Sequence, residues 1–377
     1  MGEHEKGFER EKAIAGLRAY HAYIEKMLRD VENSRPIGDF ALYCGDARSI
    51  PLPDQSAQTA VTSPPYFGLR DYGHPGQIGL EKSPAEYVAN LVTVCREIRR
   101  VLRDDGTLWL NLGDSYASSG NFNDKGDQFI SYVQRERDQI DNGPKARARK
   151  TGRAPTPEGL KAKDLIGIPW RTAFALQADG WYLRSDIIWA KPNPLPESVI
   201  DRPTKAHEYL FLLSKSERYF YNSDAIKEKA VTAGNRNLGF MPDRAHAMGR
   251  EPSGNEATGG RDKIRGEMRN SRSVWTIQPV AYPGAHFATF PRELARRCIL
   301  AGSKPGDLVI DPFAGSGTTG VEARELGRRY LGGDINPTYV ELSRQRVGQA
   351  VPPKRGRGRP PGSKNKPKPP GLSKSPR

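Results

Sequence analysis

The 377-residue sequence holds only three cysteines, Cys44, Cys95 and Cys298, far apart and in apolar surroundings. A disulfide framework needs paired cysteines and a zinc cluster needs closely spaced ligands, so neither organises this chain and no metal site is expected. Long apolar runs are missing too: none approaches the roughly 20 residues of a membrane span. The opening MGEHEKGFEREK is too polar for a secretory signal core. These absences read as a cytoplasmic-type protein. Acid is scarce relative to base. Net charge is +15, and residues 351–377 carry nine Lys or Arg and no acid, leaving +6 for the other 350 residues. Solubility alone explains a modest excess, whereas a basic tail of this kind points to a polyanionic partner.

Along the chain, Ile14, Leu17, Tyr20, Ile24, Met27, Leu28 and Val31 recur at three- and four-residue spacing, which predicts a helix over 10–31, either docked or forming a homodimer contact. From Asp39 onward short apolar runs alternate with helical stretches. Strands are expected at 40–44, 60–62, 107–112, 184–189, 208–213, 307–310 and 329–332. Helices are expected at 87–102, 164–177, 291–301, 318–326 and 337–349, the first followed by Asp104-Asp105-Gly106 ahead of its strand. This alternation indicates an α/β fold with a mostly parallel sheet covered on both faces. Two stretches break the rhythm. Residues 115–160 are rich in Gly, Asn and charge, and residues 222–274 hold ten basic residues, seven acidic residues and seven glycines. Loops of such length are functional or unfolded. The tail cannot form a core, because it is Pro- and Gly-rich with almost nothing apolar to bury.

Two turns carry the chemistry. Asp311-Pro-Phe-Ala-Gly-Ser-Gly-Thr-Thr319 follows the apolar run Leu308-Val-Ile310. A strand ending in Asp and turning through two close glycines lets a ligand approach bare backbone at the next helix N-terminus. Taken alone it equally fits tight packing of a helix on a strand. It lacks Gly-Lys-Ser/Thr and so is no ATPase-type phosphate loop. Tyr330-Leu-Gly-Gly-Asp-Ile-Asn-Pro337 ends another strand in Asp334, placed as the ribose-binding acid of nucleotide folds is. In Val61-Thr-Ser-Pro-Pro-Tyr-Phe67, two prolines stiffen the backbone and hold Ser63 and Tyr66 at the sheet edge; a plain strand terminator is the other reading.

Together these motifs resemble the S-adenosylmethionine-dependent DNA methyltransferases that modify exocyclic amines, and most of all their permuted β group. In that group the catalytic motif, here Ser63-Pro64-Pro65-Tyr66, precedes the cofactor motif, here Asp311 to Gly317. Tyr43-Cys-Gly-Asp46 is similar to the segment whose acid approaches the cofactor's adenine. Ile188-Trp-Ala-Lys191-Pro-Asn193, His207-Glu208-Tyr209 and His286-Phe-Ala-Thr-Phe-Pro291 match further segments, so the resemblance spans residues 38–345 apart from the two insertions. It implies a seven-stranded, Rossmann-like sheet in circularly permuted order. The catalytic half would occupy 37–221, a target-recognition region 222–274 and the cofactor half 275–350, flanked by an N-terminal helical extension over 1–36 and the tail over 351–377.

By the same resemblance, S-adenosylmethionine would be bound by Asp46, Asp311, Phe313, Ala314, Gly315, Ser316, Gly317, Thr318, Asp334 and Asn336. Ser63 and the carbonyl of Pro64 would accept hydrogen bonds from the target amine. Tyr66 would stack on a base flipped out of duplex DNA. Carbon-5 methylation is set aside, since Tyr43, Val94 and Arg297, not proline, precede the three cysteines, which read as core. Ser-Pro-Pro-Tyr resembles the N4-cytosine enzymes; N6-adenine modification and a catalytically inactive DNA-binding protein stay open, and RNA is a weaker substrate candidate. Arg236, Arg244, Arg250, Arg261, Lys263, Arg265 and Arg269 are candidates for DNA contact, as are residues 141–153. Arg357-Gly358-Arg359-Pro360 resembles an AT-hook, whose slim backbone and flanking arginines suit the narrow minor groove of A·T-rich DNA, with a merely solubilising tail as the other reading.

Overall fold

The computed structural model describes residues 38–117, 159–230, 268–279 and 291–353, apart from 70, 73, 75 and 195. The expected helix over 10–31, the basic run at 141–153, six of the seven DNA-contact candidates, most of His286–Pro291 and the AT-hook-like segment lie outside the described residues.

Strand alternation builds the centre of the molecule. Strands β1 (Phe40–Cys44), β2 (Ala57–Thr62), β3 (Leu102–Leu112), β4 (Tyr182–Ala190), β5 (His207–Ser214), β8 (Val274–Thr276), β9 (Leu308–Asp311) and β10 (Arg329–Asp334) form one sheet in the order β1-β10-β9-β2-β3-β5-β4-β8. Pairing is parallel from β1 through β3, antiparallel for β3–β5 and β5–β4, and parallel again for β4–β8. The sheet thus has eight strands among the described residues where seven were expected. The added one is β8, too short to announce itself in the sequence. Glu228–Lys229 (β6) and Met268–Arg269 (β7) form a separate two-stranded ribbon. There Arg269 donates to Glu228 at 2.9 Å, so this DNA-contact candidate is engaged within the protein.

Helices cover both faces. Successive strand side chains point to opposite sides, so Leu108 and Leu110 of β3 join one core while Trp109 joins the other. The first core packs under α1 (Pro84–Val101) and α2 (Ile168–Ala178). The second packs under α3 (Arg292–Gly302), α4 (Thr318–Glu325) and α5 (Pro337–Gln349). Helix α1 begins three residues earlier than its apolar stripe suggests. Ser83 caps it by accepting from Glu86 N–H at 3.2 Å, and Pro84 occupies the first turn.

Two expected boundaries move for physical reasons. Asp104-Asp105-Gly106, expected ahead of the strand, lies inside β3, where the register against β2 jumps from Leu102 to Thr107 and the intervening residues bulge. Helix α2 starts at Ile168, not Asp164, because Gly167 takes the left-handed conformation (φ 78°). The Asp114 carboxylate accepts the N–H groups of Gly167 and Ile168 there in place of a cap. Cys95 and Cys298 are buried as expected, and burial pushes the Cys95 thiol up to about 12. Cys44, at the end of β1, is half-buried and packs against the second core.

Candidate active site

The parallel order brings the carboxyl ends of β1, β2, β9 and β10 side by side, although β9 and β10 come last in the chain. An open cleft of about 970 Å³, mouth included, lies along this edge.

Strand β9 ends in Asp311, which is almost wholly buried. Its carboxylate accepts from Thr62 Oγ1 at 2.6 Å, Thr319 Oγ1 at 2.7 Å and Phe313 N–H at 3.1 Å. Burial pushes this acid up to about 6 even with those three donors lowering it. Asp311 therefore fastens the following turn and α4 to β2. It is absent from the cleft lining and stands beneath the floor.

The turn itself, Phe313 to Ser316, lines the cleft, as does Thr318. Gly317 does not, and it closes the turn in a left-handed conformation (φ 81°). A Cβ there would lie 2.5 Å from Ser343 Oγ and 3.1 Å from Ser343 Cα, so any other residue would be strained and would displace Ser343. Asp334, at the end of β10, faces the cleft. Its Oδ2 accepts Gly315 N–H at 3.0 Å and its Oδ1 accepts Asn336 N–H at 2.9 Å. Burial raises it to about 6 as well. Each oxygen retains a lone pair for a ligand hydroxyl. Asn336 lies outside the cleft lining and caps α5 by accepting Thr338 N–H at 2.9 Å. Asp46 lines the cleft, with Arg48 chelating it at 2.6–3.0 Å. Burial works to raise this acid, but the Arg48 hydrogen bonds outweigh it and hold the carboxyl below its usual range.

Across the cleft stand Ser63 and Pro65, which follow β2. Pro64 is buried and Tyr66 lies off the cleft lining. The Pro65 carbonyl accepts Tyr87 OH at 2.7 Å, which ties the turn to α1. The Tyr66 ring covers Gly113 so closely that a Cβ there would lie 2.4 Å from it. Its hydroxyl donates to Glu208 Oε2 at 2.5 Å. Burial first, then the Glu208 charge, keep that hydroxyl protonated far above its ordinary range. Asn111 Nδ2 lies 2.7 Å from Tyr66 OH, 2.9 Å from Glu208 Oε2 and 3.3 Å from Ser63 Oγ. Lys191 completes the set by pairing with Glu208 Oε1.

The structure thus brings Ser63 and Pro65 into one cleft with Asp46, Asp334 and most of the Gly-rich turn. Sequence reasoning missed the apolar walls Ile78, Ile335 and Tyr339, together with Asn111. A lone amide inside Leu108-Trp-Leu-Asn-Leu112 was the available signal, since an amide in a buried strand needs partners. Among the described residues no group of His, Cys, Asp and Glu could hold a metal ion, and no helix is long and apolar enough to cross a membrane.

Known proteins agree with this picture. The family model described as DNA methylase, of the N6/N4 kind, matches residues 57–345. The chain is 48% identical over 305 residues to the type II methyltransferase M.SmaI of Serratia marcescens, covering 80% of this chain and 89% of that one. It is 48% identical over 308 residues to M.Cfr9I of Citrobacter freundii, covering 81% and 87%. Among solved structures, PvuII DNA methyltransferase (cytosine-N4-specific) superimposes with a TM-score of 0.52 at 18% identity, over 81% of this chain and 86% of that one. That last likeness speaks for the fold.

Proposed function

The chain belongs to the N6/N4 DNA methylase family, and we propose that it transfers a methyl group from S-adenosylmethionine to the N4 amine of cytosine in duplex DNA. One observation carries this reading: the turn bearing Ser63 and the turn bearing Gly315 line the same cleft.

The donor set fits the cofactor. Asp334 offers two acceptor positions suited to a ribose diol, Gly315 leaves backbone bare, and Phe313, Ile335 and Tyr339 supply apolar walls for a flat base. When bound, S-adenosylmethionine supplies an electrophilic methyl group on a sulfonium.

Everything else falls to the protein. The lone pair of an exocyclic amine is delocalised into its ring and is a weak nucleophile. An acceptor at Ser63 Oγ, with the Pro64 carbonyl, favours a pyramidal nitrogen whose lone pair is free. Alignment of amine and methyl group in the cleft contributes the remainder. The base must leave the duplex to reach the cleft, and Tyr66 is the ring in the turn against which it would stack. Serine is a neutral acceptor where adenine-N6 members of the family carry aspartate, which favours cytosine. The names of the relatives support a place beside a restriction nuclease. The Arg357-Gly358-Arg359-Pro360 segment supports an added contact with A·T-rich minor grooves.

The test is product identity. Protein, methyl-labelled S-adenosylmethionine and unmethylated mixed-sequence duplex are incubated and the DNA is digested to nucleosides. Label in N4-methylcytosine is expected. Label in N6-methyladenine would reassign the base while keeping the cleft, and no label with cofactor bound would move the weight to a non-catalytic DNA-binding protein.

A further inference from the structure

We propose that Glu208 is a positioning residue for methyl transfer: its carboxylate holds Asn111 and Tyr66, and through Asn111 the hydroxyl of Ser63, in the arrangement that the target amine meets. The inference rests on the roles of Ser63 and Tyr66 given above.

Topology delivers this acid to the site. Ser63 follows β2, and Asn111 lies near the end of the neighbouring parallel strand β3. Strand β5 runs the other way, so its first residues reach the same edge, with Asn111 opposite Leu210. Trp189 of β4 pairs with Glu208, and Lys191 follows immediately after that strand. Four strand ends therefore converge, and a residue 142 positions from Tyr66 becomes its hydrogen-bond partner.

Donor and acceptor accounting gives the carboxylate a specific task. An ionised carboxylate only accepts. Tyr66 must therefore donate its single proton to Glu208 Oε2, and Asn111 must turn its NH2 group the same way. One Asn111 hydrogen is then shared between Glu208 and the Tyr66 oxygen, and the other is directed at Ser63 Oγ. Ser63 receives one hydrogen from Asn111, has the Tyr66 hydroxyl as a further hydrogen-bond neighbour, and keeps a second lone pair for the cleft that it lines. An amide turned the other way would set Asn111 Oδ1 against the carboxylate. The charge is tolerated because Lys191 pairs with Oε1, its ammonium 4.6 Å from the centre of the Trp189 ring. Glu208 does not itself line the cleft, so it acts through its partners.

The experiment uses the full chain, unmethylated mixed-sequence duplex and methyl-labelled S-adenosylmethionine. Single-turnover rate and cofactor Kd are measured for the parent, Glu208→Gln, Tyr66→Phe, the double variant Glu208→Gln/Tyr66→Phe, and Glu208→Gln/Lys191→Met. Glu208→Gln is expected to slow transfer by about 10- to 100-fold, as losses of supporting hydrogen bonds at active sites do, with cofactor Kd within about twofold. Adding Tyr66→Phe should then cost less than it does in the parent, and Lys191→Met should restore nothing. A Glu208→Gln rate within about twofold of the parent, fully multiplicative losses, or restoration by Lys191→Met would overturn the proposal. The last result would make Glu208 only the counter-ion of Lys191. Should Glu208→Gln not fold, Tyr66→Phe removes the same bond from the other side, and an unchanged rate there overturns it. A parent protein that methylates no DNA would instead sink the reading of the site itself.

Discussion

The two turns that face each other across the cleft are built by opposite means. The turn after β9 draws most of its support from nearby chain: Asp311 and Asp334 between them satisfy Phe313, Gly315, Thr319 and Asn336, while Val61 and Thr62 of β2 and Arg346 of α5, which donates to the Ser316 carbonyl, add to it from elsewhere. The turn after β2 borrows its support. Ser63 and Tyr66 are held by Asn111 of β3 and Glu208 of β5, with Lys191 behind them and Tyr87 of α1 holding Pro65. A ligand-binding turn whose polar groups are met mostly locally is shaped largely where its strand and helix form. A turn that depends on three other elements is correct only once the whole sheet edge is assembled. Binding and transfer should therefore be separable by mutation.

The largest effect should fall on the borrowed side. Ser63→Ala removes the acceptor for the target amine and is expected to lower the single-turnover rate by about a hundredfold or more, as loss of one preorganised active-site hydrogen bond does. Second comes Asp334→Asn. A hydrogen bond to a charged group contributes about 1.5–3 kcal/mol, so cofactor affinity measured by titration calorimetry should weaken by roughly 10- to 100-fold.

The same residue gives a pH signature. Burial pushes Asp334 up to about 6, and the ligand hydroxyls favour its ionised, accepting form. Affinity should be full well above that pH and decline by about tenfold per unit well below it, and Asp334→Asn should abolish the inflection. The smallest effect concerns stability. Gly317→Ala forces a side chain into left-handed backbone against Ser343, and denaturant titration should show a loss of about 1–3 kcal/mol. A loss in that range with intact transfer by the remaining folded protein would sharpen the contrast, because the locally supported turn would then be a matter of folding more than of chemistry.

The same contrast explains what was legible in the sequence. The strand–Asp–Gly-rich turn–helix at 308–326 could be read because each of its signals sits beside the next. The alternation of strands and helices likewise gave the sheet and both covered faces. Asp311 and Asn336 are expected at the cofactor because their motif contains them; burial and capping add that they hold the motif together, which the motif alone does not tell. Strand β8 escaped notice because three residues carry no usable periodicity, and the start of α2 was misplaced because its cap is supplied by Asp114 from another element. Asn111 and Glu208 could not be joined to Ser63 by spacing, since the antiparallel run of β5 that unites them is a property of the assembled sheet.

The division of labour between the two turns is tested most directly by the Kd of S-adenosylmethionine for Ser63→Ala. The account predicts affinity within about twofold of the parent, because the cofactor turn and Asp334 do not depend on the Ser63 hydroxyl. Affinity that collapses along with the transfer rate would contradict it, and would mean that the two turns form one cooperative unit.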